Sequence, residues 1–243
     1  MSLQKISKNI LIVDADNKRT MMLGRILKVF GYNVFGMTKL LDIKKVMSGI
    51  IPNAIMLDYD LLPENRDEFL SRLRSNKAFR SLKLITFSDK ENVAELRTTV
   101  KKGASAFMTH PIQPTPLFQV LQKLLEKYPR NVPRVSIMFK AAGTTKRGKF
   151  SYYTSNISEF GIFVLTSKPL PKATRLVLDL DIPSKVPFSV KGEVVYRVTK
   201  TTNNLTPPGM GIRFVNLDKK YQIGLRNFIE SFILAEAMED IKI

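Results

Sequence analysis

Two short segments hold residue types suited to an anionic, aromatic ligand. Arg130-Asn131-Val132-Pro133-Arg134 sets two guanidinium forks four residues apart, and Asn156-Ile157-Ser158-Glu159-Phe160-Gly161 offers an amide, a hydroxyl and a glycine in quick succession. A guanidinium clamps phosphate oxygens, grips the O6/N7 edge of guanine or stacks on a base, and a lysine ammonium is no substitute. Asn156 brings donor and acceptor to a base edge, Ser158 donates to phosphate or braces the turn, and Gly161 permits close backbone approach or a positive-φ turn. Pro129 and Pro133 disfavour helix around both arginines, so this segment should be an extended arm free to wrap a ligand. A second set is acidic. Asp14 and Asp58 each end a short apolar run, and carboxylates converging there would suit Mg²⁺, a hard cation that prefers oxygen ligands.

Other chemistries are excluded by count. The chain has no Cys and one His, which removes disulfides, thiolate catalysis and a protein-built zinc site. Neither a Walker-type phosphate loop nor a nucleophile-His arrangement occurs, so the protein reads as a binding module and not an enzyme. Thirty-nine Lys+Arg against 21 Asp+Glu give +18, which raises nucleic acid as a partner. That excess is spread evenly, 21 basic and 12 acidic over 1–127 against 18 and 9 over 128–243, and Lys146-Arg147-Gly148-Lys149 is the densest cluster. Lys5 and Lys8 precede only the run Ile10 to Val13, which is no signal-peptide layout, and no apolar run spans a bilayer. A cytoplasmic location without membrane partners is the expectation.

The elements that must position these residues fall into two patterns. Up to Lys127, apolar runs at Ile10 to Val13, Asn33 to Phe35, Ala54 to Leu57, Leu82 to Phe87 and Ala106 to Met108 alternate with helical stripes such as Met22/Ile26/Phe30, Val93/Leu96/Val100 and Leu117/Val120/Leu121/Leu124/Leu125. Fivefold strand-helix alternation means a doubly wound parallel α/β domain over 1–127, with its site at the carboxyl ends of the strands. Over 128–243, Val135 to Phe139, Phe150 to Ser155, Gly161 to Leu165, Thr174 to Leu180, Phe188 to Arg197 and Met210 to Phe214 read as strands of a small antiparallel β-barrel. A C-terminal helix from about Lys219 to Glu239 follows, with Ile223, Phe228, Ile229, Phe232 and Ile233 as its apolar face.

The first half resembles a CheY-like response-regulator receiver over about residues 7 to 127. The resemblance implies Asp58, in Ile55-Met56-Leu57-Asp58, as phosphoacceptor, with Asp14 and the Asp60 carbonyl as Mg²⁺ ligands and a histidine kinase as partner. It also implies Ser88 and Phe107 as switch positions, Ser88 lying ahead of the family's Gly103-Ala104-Ser105 element. Three departures stand out: Ala15 replaces the second acid, with Asp16 one place on, which should weaken Mg²⁺ and hence phosphotransfer; His110 stands where the family has lysine; and the family's proline is displaced to Pro63. The second half, about 128 to 235, is similar to PilZ domains, on the Arg130/Arg134 pair, the Asn156/Ser158/Gly161 motif and the later Gly209-Met210-Gly211-Ile212-Arg213-Phe214. That resemblance implies cyclic di-GMP as ligand, its two phosphates and two guanines meeting the arginine forks. The expected protein is thus a two-domain bacterial signalling effector with an onward protein partner, self-association being open. The rival readings are a basic regulator that binds nucleic acid and a scaffold for protein contacts alone.

Overall fold

A computed structural model of the protein describes residues 7–40, 49, 51–75, 80–89, 93–145, 148–182, 188–199 and 207–238. Lys146 and Arg147 of the basic cluster, and Glu239 at the expected helix end, lie outside them. By its contacts the chain forms two compact units, Pro133–Phe232 and Leu3–Val132 with Ile233–Ile243.

In the N-terminal unit the strands are β1 (Asn9–Val13), β2 (Asn33–Met37), β3 (Ala54–Asp58), β4 (Lys83–Ser88) and β5 (Ala106–Thr109), all parallel in the order β2-β1-β3-β4-β5. The helices with described bounds are α1 (Asn17–Val29), α2 (Arg66–Ser75), α3 (Val93–Lys101) and α4 (Pro114–Leu125), with a 3-10 turn at Tyr59–Leu61 after β3. All five residues of β3 are buried, as befits a central strand covered on both faces. Leu11, Val13, Ile55, Leu57 and Leu84 join Leu70 of α2 and Leu96 of α3 in one core cluster. Their strand neighbours Ile10, Ile12, Met56 and Ile85, equally buried, point to the opposite face by the period-2 rule. Asp16 caps α1, its side chain accepting from the backbone N–H of Lys18 and Arg19 at 2.8 and 3.1 Å, which fixes where the first turn begins. The order, with its reversal between β1 and β3, puts the carboxyl ends of those two strands at the topological switch point.

The C-terminal unit is a closed antiparallel barrel of β6 (Lys140–Thr145), β7 (Gly148–Ser158), β8 (Gly161–Leu165), β9 (Arg175–Leu180), β10 (Phe188–Val198) and β11 (Gly209–Phe214), ordered β10-β11-β8-β7-β6-β9. Helix α5 (Lys219–Met238) follows. Strand β9 alternates cleanly, burying Leu176, Leu178 and Leu180 while Arg175, Val177 and Asp179 face out, and the interior is completed by Ile157, Ile162, Val194, Met210 and Ile212. The first expected strand is displaced. Val135 makes only an isolated bridge to Ile157, and the paired strand is Lys140–Thr145. The Val-Ile-Phe alternation misled, whereas Lys-Ala-Ala-Gly-Thr-Thr is recruited because Gly143 leaves room for Phe150, whose ring would lie 2.0 Å from a Cβ there. In α5, Ile223 is exposed and the buried face is Leu225, Phe228, Ile229, Ile233 and Ala237. Among the described residues no helix is long and apolar enough to cross a membrane.

Strands β8 and β11 approach closely at Gly161, where an added Cβ would lie 2.3 Å from the Ile212 carbonyl oxygen. That obstacle is backbone and cannot rotate away. Gly161→Ala should therefore lower barrel stability by about 1–3 kcal/mol in a denaturant melt. An unchanged midpoint would mean that Gly161 has no structural duty.

A cleft on the barrel face and an acid pocket on the parallel sheet

Two strands of the barrel each carry one extra residue. Register shifts between Thr154 and Asn156 in β7, and again between Val194 and Tyr196 in β10. The bulged residues are Ser155 and Val195, and each flips the side chains that follow relative to the partner strand. As a result Asn156, Phe163, Gly211 and Tyr196 fall in one register row across β7, β8, β11 and β10. The next row on that face is Ser158, Gly161, Arg213 and Glu193. Tyr196 lies stacked along Phe163, ring centroids 5.8 Å apart and planes 28° apart, and covers Gly211 so closely that a Cβ would meet its ring at 2.1 Å.

These rows floor an open cleft of about 240 Å³ lined by Arg134, Asn156, Ser158, Phe160, Gly161, Tyr196, Gly211 and Arg213, with Ile162, Val195 and Ile212 beneath. Four of the five ligand residues expected from sequence thus meet at one place. Arg130 does not line it: its backbone N–H is donated to Gln122 Oε1 of α4 at 3.0 Å, and the Asn131 carbonyl accepts from Gln119 Nε2 at 3.0 Å. The first half of the arm is therefore anchored, because the buried amide of Gln122 needs a partner. Ser158 is committed to the turn, donating to Gly161 O at 3.2 Å and accepting from Phe160 N at 3.4 Å. Gly161 has no positive φ, so its service is close approach to β11. Phe160 and Arg213, named above only as members of their motif runs, and Tyr196 were not anticipated as cleft residues. Their signal, a tyrosine facing a glycine across a bulge, exists only once the register is known.

Glu159, in the same turn, is buried, and its carboxylate holds α5. It accepts from Arg226 Nη2 at 2.7 Å and Nε at 3.0 Å and from Gln222 Nε2 at 2.7 Å, a forked pairing that compensates its burial.

On the parallel sheet, Asp14 and Asp58 are buried side by side at the switch point, but an arginine has joined them. Arg19 of α1 donates Nε to Asp14 Oδ2 at 3.0 Å, and Nη2 to Asp14 Oδ1 at 2.8 Å and Asp58 Oδ2 at 3.2 Å. The backbone N–H groups of Asp16 and Asp60 take the remaining contacts, to Asp14 Oδ1 at 2.8 Å and Asp58 Oδ1 at 3.1 Å. Every carboxylate oxygen of the pair already faces a donor. Mg²⁺, which needs those oxygens, does not fit the expected set of Asp14, Asp58 and Asp60, and no cluster of three or more His, Asp or Glu suited to a metal occurs among the described residues. Burial pushes the Asp58 carboxyl up to about 6, the Asp60 N–H and Arg19 opposing. Buried Ser88 ends β4 and donates to Asp60 Oδ2 at 3.3 Å, and Phe107 packs half-buried against the core. His110 follows β5, edge-on to Phe87 at 5.3 Å, its Nε2 buried without a hydrogen-bond partner among the described residues. Burial and then the Arg19 charge push its imidazole down, so it is neutral near pH 7 and supplies no cation.

The comparisons with known proteins fall separately on the two halves. No curated protein sequence matches the chain. Solved structures similar to the N-terminal half include the chemotaxis response regulator CheY4 of Vibrio cholerae (18% identity, 49% of this chain and 99% of that one, TM-score 0.44) and a response regulator from Thermotoga maritima (16%, 50% and 100%, 0.45). A third is the signal receiver domain of a signal transduction histidine kinase from Syntrophus aciditrophicus (22%, 51% and 94%, 0.44). Residues 126–231 match the family model of the PilZ domain. The segment that matches the PilZ model takes in the whole closed barrel, and the parallel five-stranded α/β domain precedes it in the chain.

Proposed function

We propose that the protein is a cyclic di-GMP receptor of bacterial signal transduction, with residues 128–243 as the ligand domain and 1–127 as a receiver-like domain whose output is read together with it. The observation that supports this most is the convergence of Arg134, Asn156, Tyr196 and Arg213 on one cleft of the barrel face. Ligand sites for compact molecules run from about 300 to 1,000 Å³. A cleft of about 240 Å³ therefore houses one guanine with its phosphate and leaves the rest of the dinucleotide on the open side. In that pose the Tyr196 ring, held flat by Phe163, is the stacking surface, Asn156 meets the base edge, and the forks of Arg134 and Arg213 take phosphate and O6/N7. Arg130, expected from its motif as a second ligand arginine, is exposed, its backbone held by Gln122. The role is binding, without catalysis, in the cytoplasm, with a downstream protein as recipient of the signal.

Calorimetric titration should give saturable binding of cyclic di-GMP in preference to cyclic di-AMP, whose adenine presents a donor where guanine has O6. Arg134→Ala should lose at least about 2 kcal/mol of binding free energy. Equal affinity for both dinucleotides, or an unaffected Arg134→Ala variant, contradicts the assignment. Tyr196→Ala should lose about 1–3 kcal/mol through stacking while the barrel stays folded. Retained affinity would move the base elsewhere. The +18 charge supports nucleic acid as the second reading; arbitrary duplex DNA that displaces cyclic di-GMP and binds with a steep salt dependence would favour it.

A further inference from the structure

We propose that Arg19 is a built-in counter-cation, standing where a metal-dependent phosphoacceptor site would hold its divalent ion, so that the N-terminal domain keeps one electrostatic state without metal. The evidence is the geometry of the pocket. A single guanidinium spans both buried acids, forked on Asp14 and bridging to Asp58 through the shared Nη2 at 2.8 and 3.2 Å. Its origin in the sequence is local. Asp16 caps α1 and so places Arg19 in the first helical turn, where side chains lean back toward the N-terminus and hence toward the carboxyl end of β1. The planar fork is suited to this duty: it satisfies two carboxylates at once with directed N–H bonds, which a lysine point charge does not.

The alternative occupant is a divalent cation, and the two compete for the same oxygens. Asp14 Oδ1 and Oδ2 and Asp58 Oδ2 all face Arg19, while Asp58 Oδ1 and, again, Asp14 Oδ1 are held by backbone N–H groups. A metal would have to expel the guanidinium and then sit beside a displaced like charge. Ala15 adds no further carboxylate to pull it in. Removal of Arg19, in contrast, leaves two buried carboxylates with no side-chain cation bridging them among the described residues, an arrangement that a divalent cation neutralises. Replacing His110 by lysine and Ala15 by aspartate leaves the Arg19 guanidinium on the same oxygens.

The test uses the full chain and Mn²⁺ as probe, with bound metal read by electron paramagnetic resonance. The wild type should leave Mn²⁺ free at millimolar concentration and show a melting temperature that does not respond to it. Arg19→Gln, which keeps the length and an amide donor but not the charge, should bind Mn²⁺ at least about tenfold more tightly, a modest return for removing a like charge a few ångströms away. Its melting temperature should fall in metal-free buffer and recover when Mn²⁺ is added. Adding Asp14→Asn to that variant should abolish the gain. Millimolar Mn²⁺ binding by the wild type overturns the proposal, as does an Arg19→Gln variant whose affinity equals that of the wild type. The wild-type measurement decides the matter even if Arg19→Gln folds poorly.

Discussion

Two extra residues shape the barrel face on which the functional account rests. A β-strand has a period of two, so one inserted residue sends every later side chain to the other side. Ser155 does this in β7 and Val195 in β10, on either side of the regular β8/β11 pair. Without the first, Asn156 would fall out of the row that crosses Phe163 and Gly211. Without the second, Tyr196 would leave Phe163 and turn toward the core layer of Ile162, Ile212 and Val194. The glycines answer the same geometry. Gly211 lets Tyr196 lie flat and Gly161 lets β8 approach β11, so the motif glycine owes its place to strand packing.

That floor is also tied to the rest of its unit. The turn between β7 and β8 buries Glu159, and a buried carboxylate must be paired. Its partners, Gln222 and Arg226, belong to α5, so any shift of the turn acts on the helix through charge-assisted bonds of 2.7–3.0 Å. The N-terminal pocket obeys the same rule in another way. Asp14 and Asp58 are buried at the switch point that the topology creates, and Arg19 compensates them. Both halves have met the need for neutralised buried acid with an arginine fork.

Much of this was legible in the sequence, and each miss has a physical cause. The parallel sheet follows from short, wholly apolar runs such as Ala54 to Leu57, and the acids that end β1 and β3 lie where an α/β sheet puts its site. Arg134, Asn156, Ser158 and Gly161 were readable as motifs because their spacing is local. Tyr196 and Arg213 were not, since their facing depends on a bulge and on pairing between distant strands. Lys140–Thr145 carries no apolar alternation and becomes a strand only by closing the barrel between β7 and β9. Arg19 was missed because its reach is a matter of helix-start geometry, and the hold on the Arg130 backbone was missed because Gln122 sits inside what the sequence shows as an apolar helix stripe.

Under the proposed function, one face of the barrel, set by the two bulges, receives the dinucleotide. The most direct test is an NMR titration of isotope-labelled full-length protein with cyclic di-GMP, following backbone amides and the arginine Nε–H groups. The account predicts the largest shifts at Arg134, Asn156, Gly161, Tyr196, Gly211 and Arg213, with smaller ones spreading through Glu159 to Gln222 and Arg226. Saturable binding with shifts confined to other faces of the barrel, and Asn156, Tyr196 and Arg213 unmoved, would contradict it.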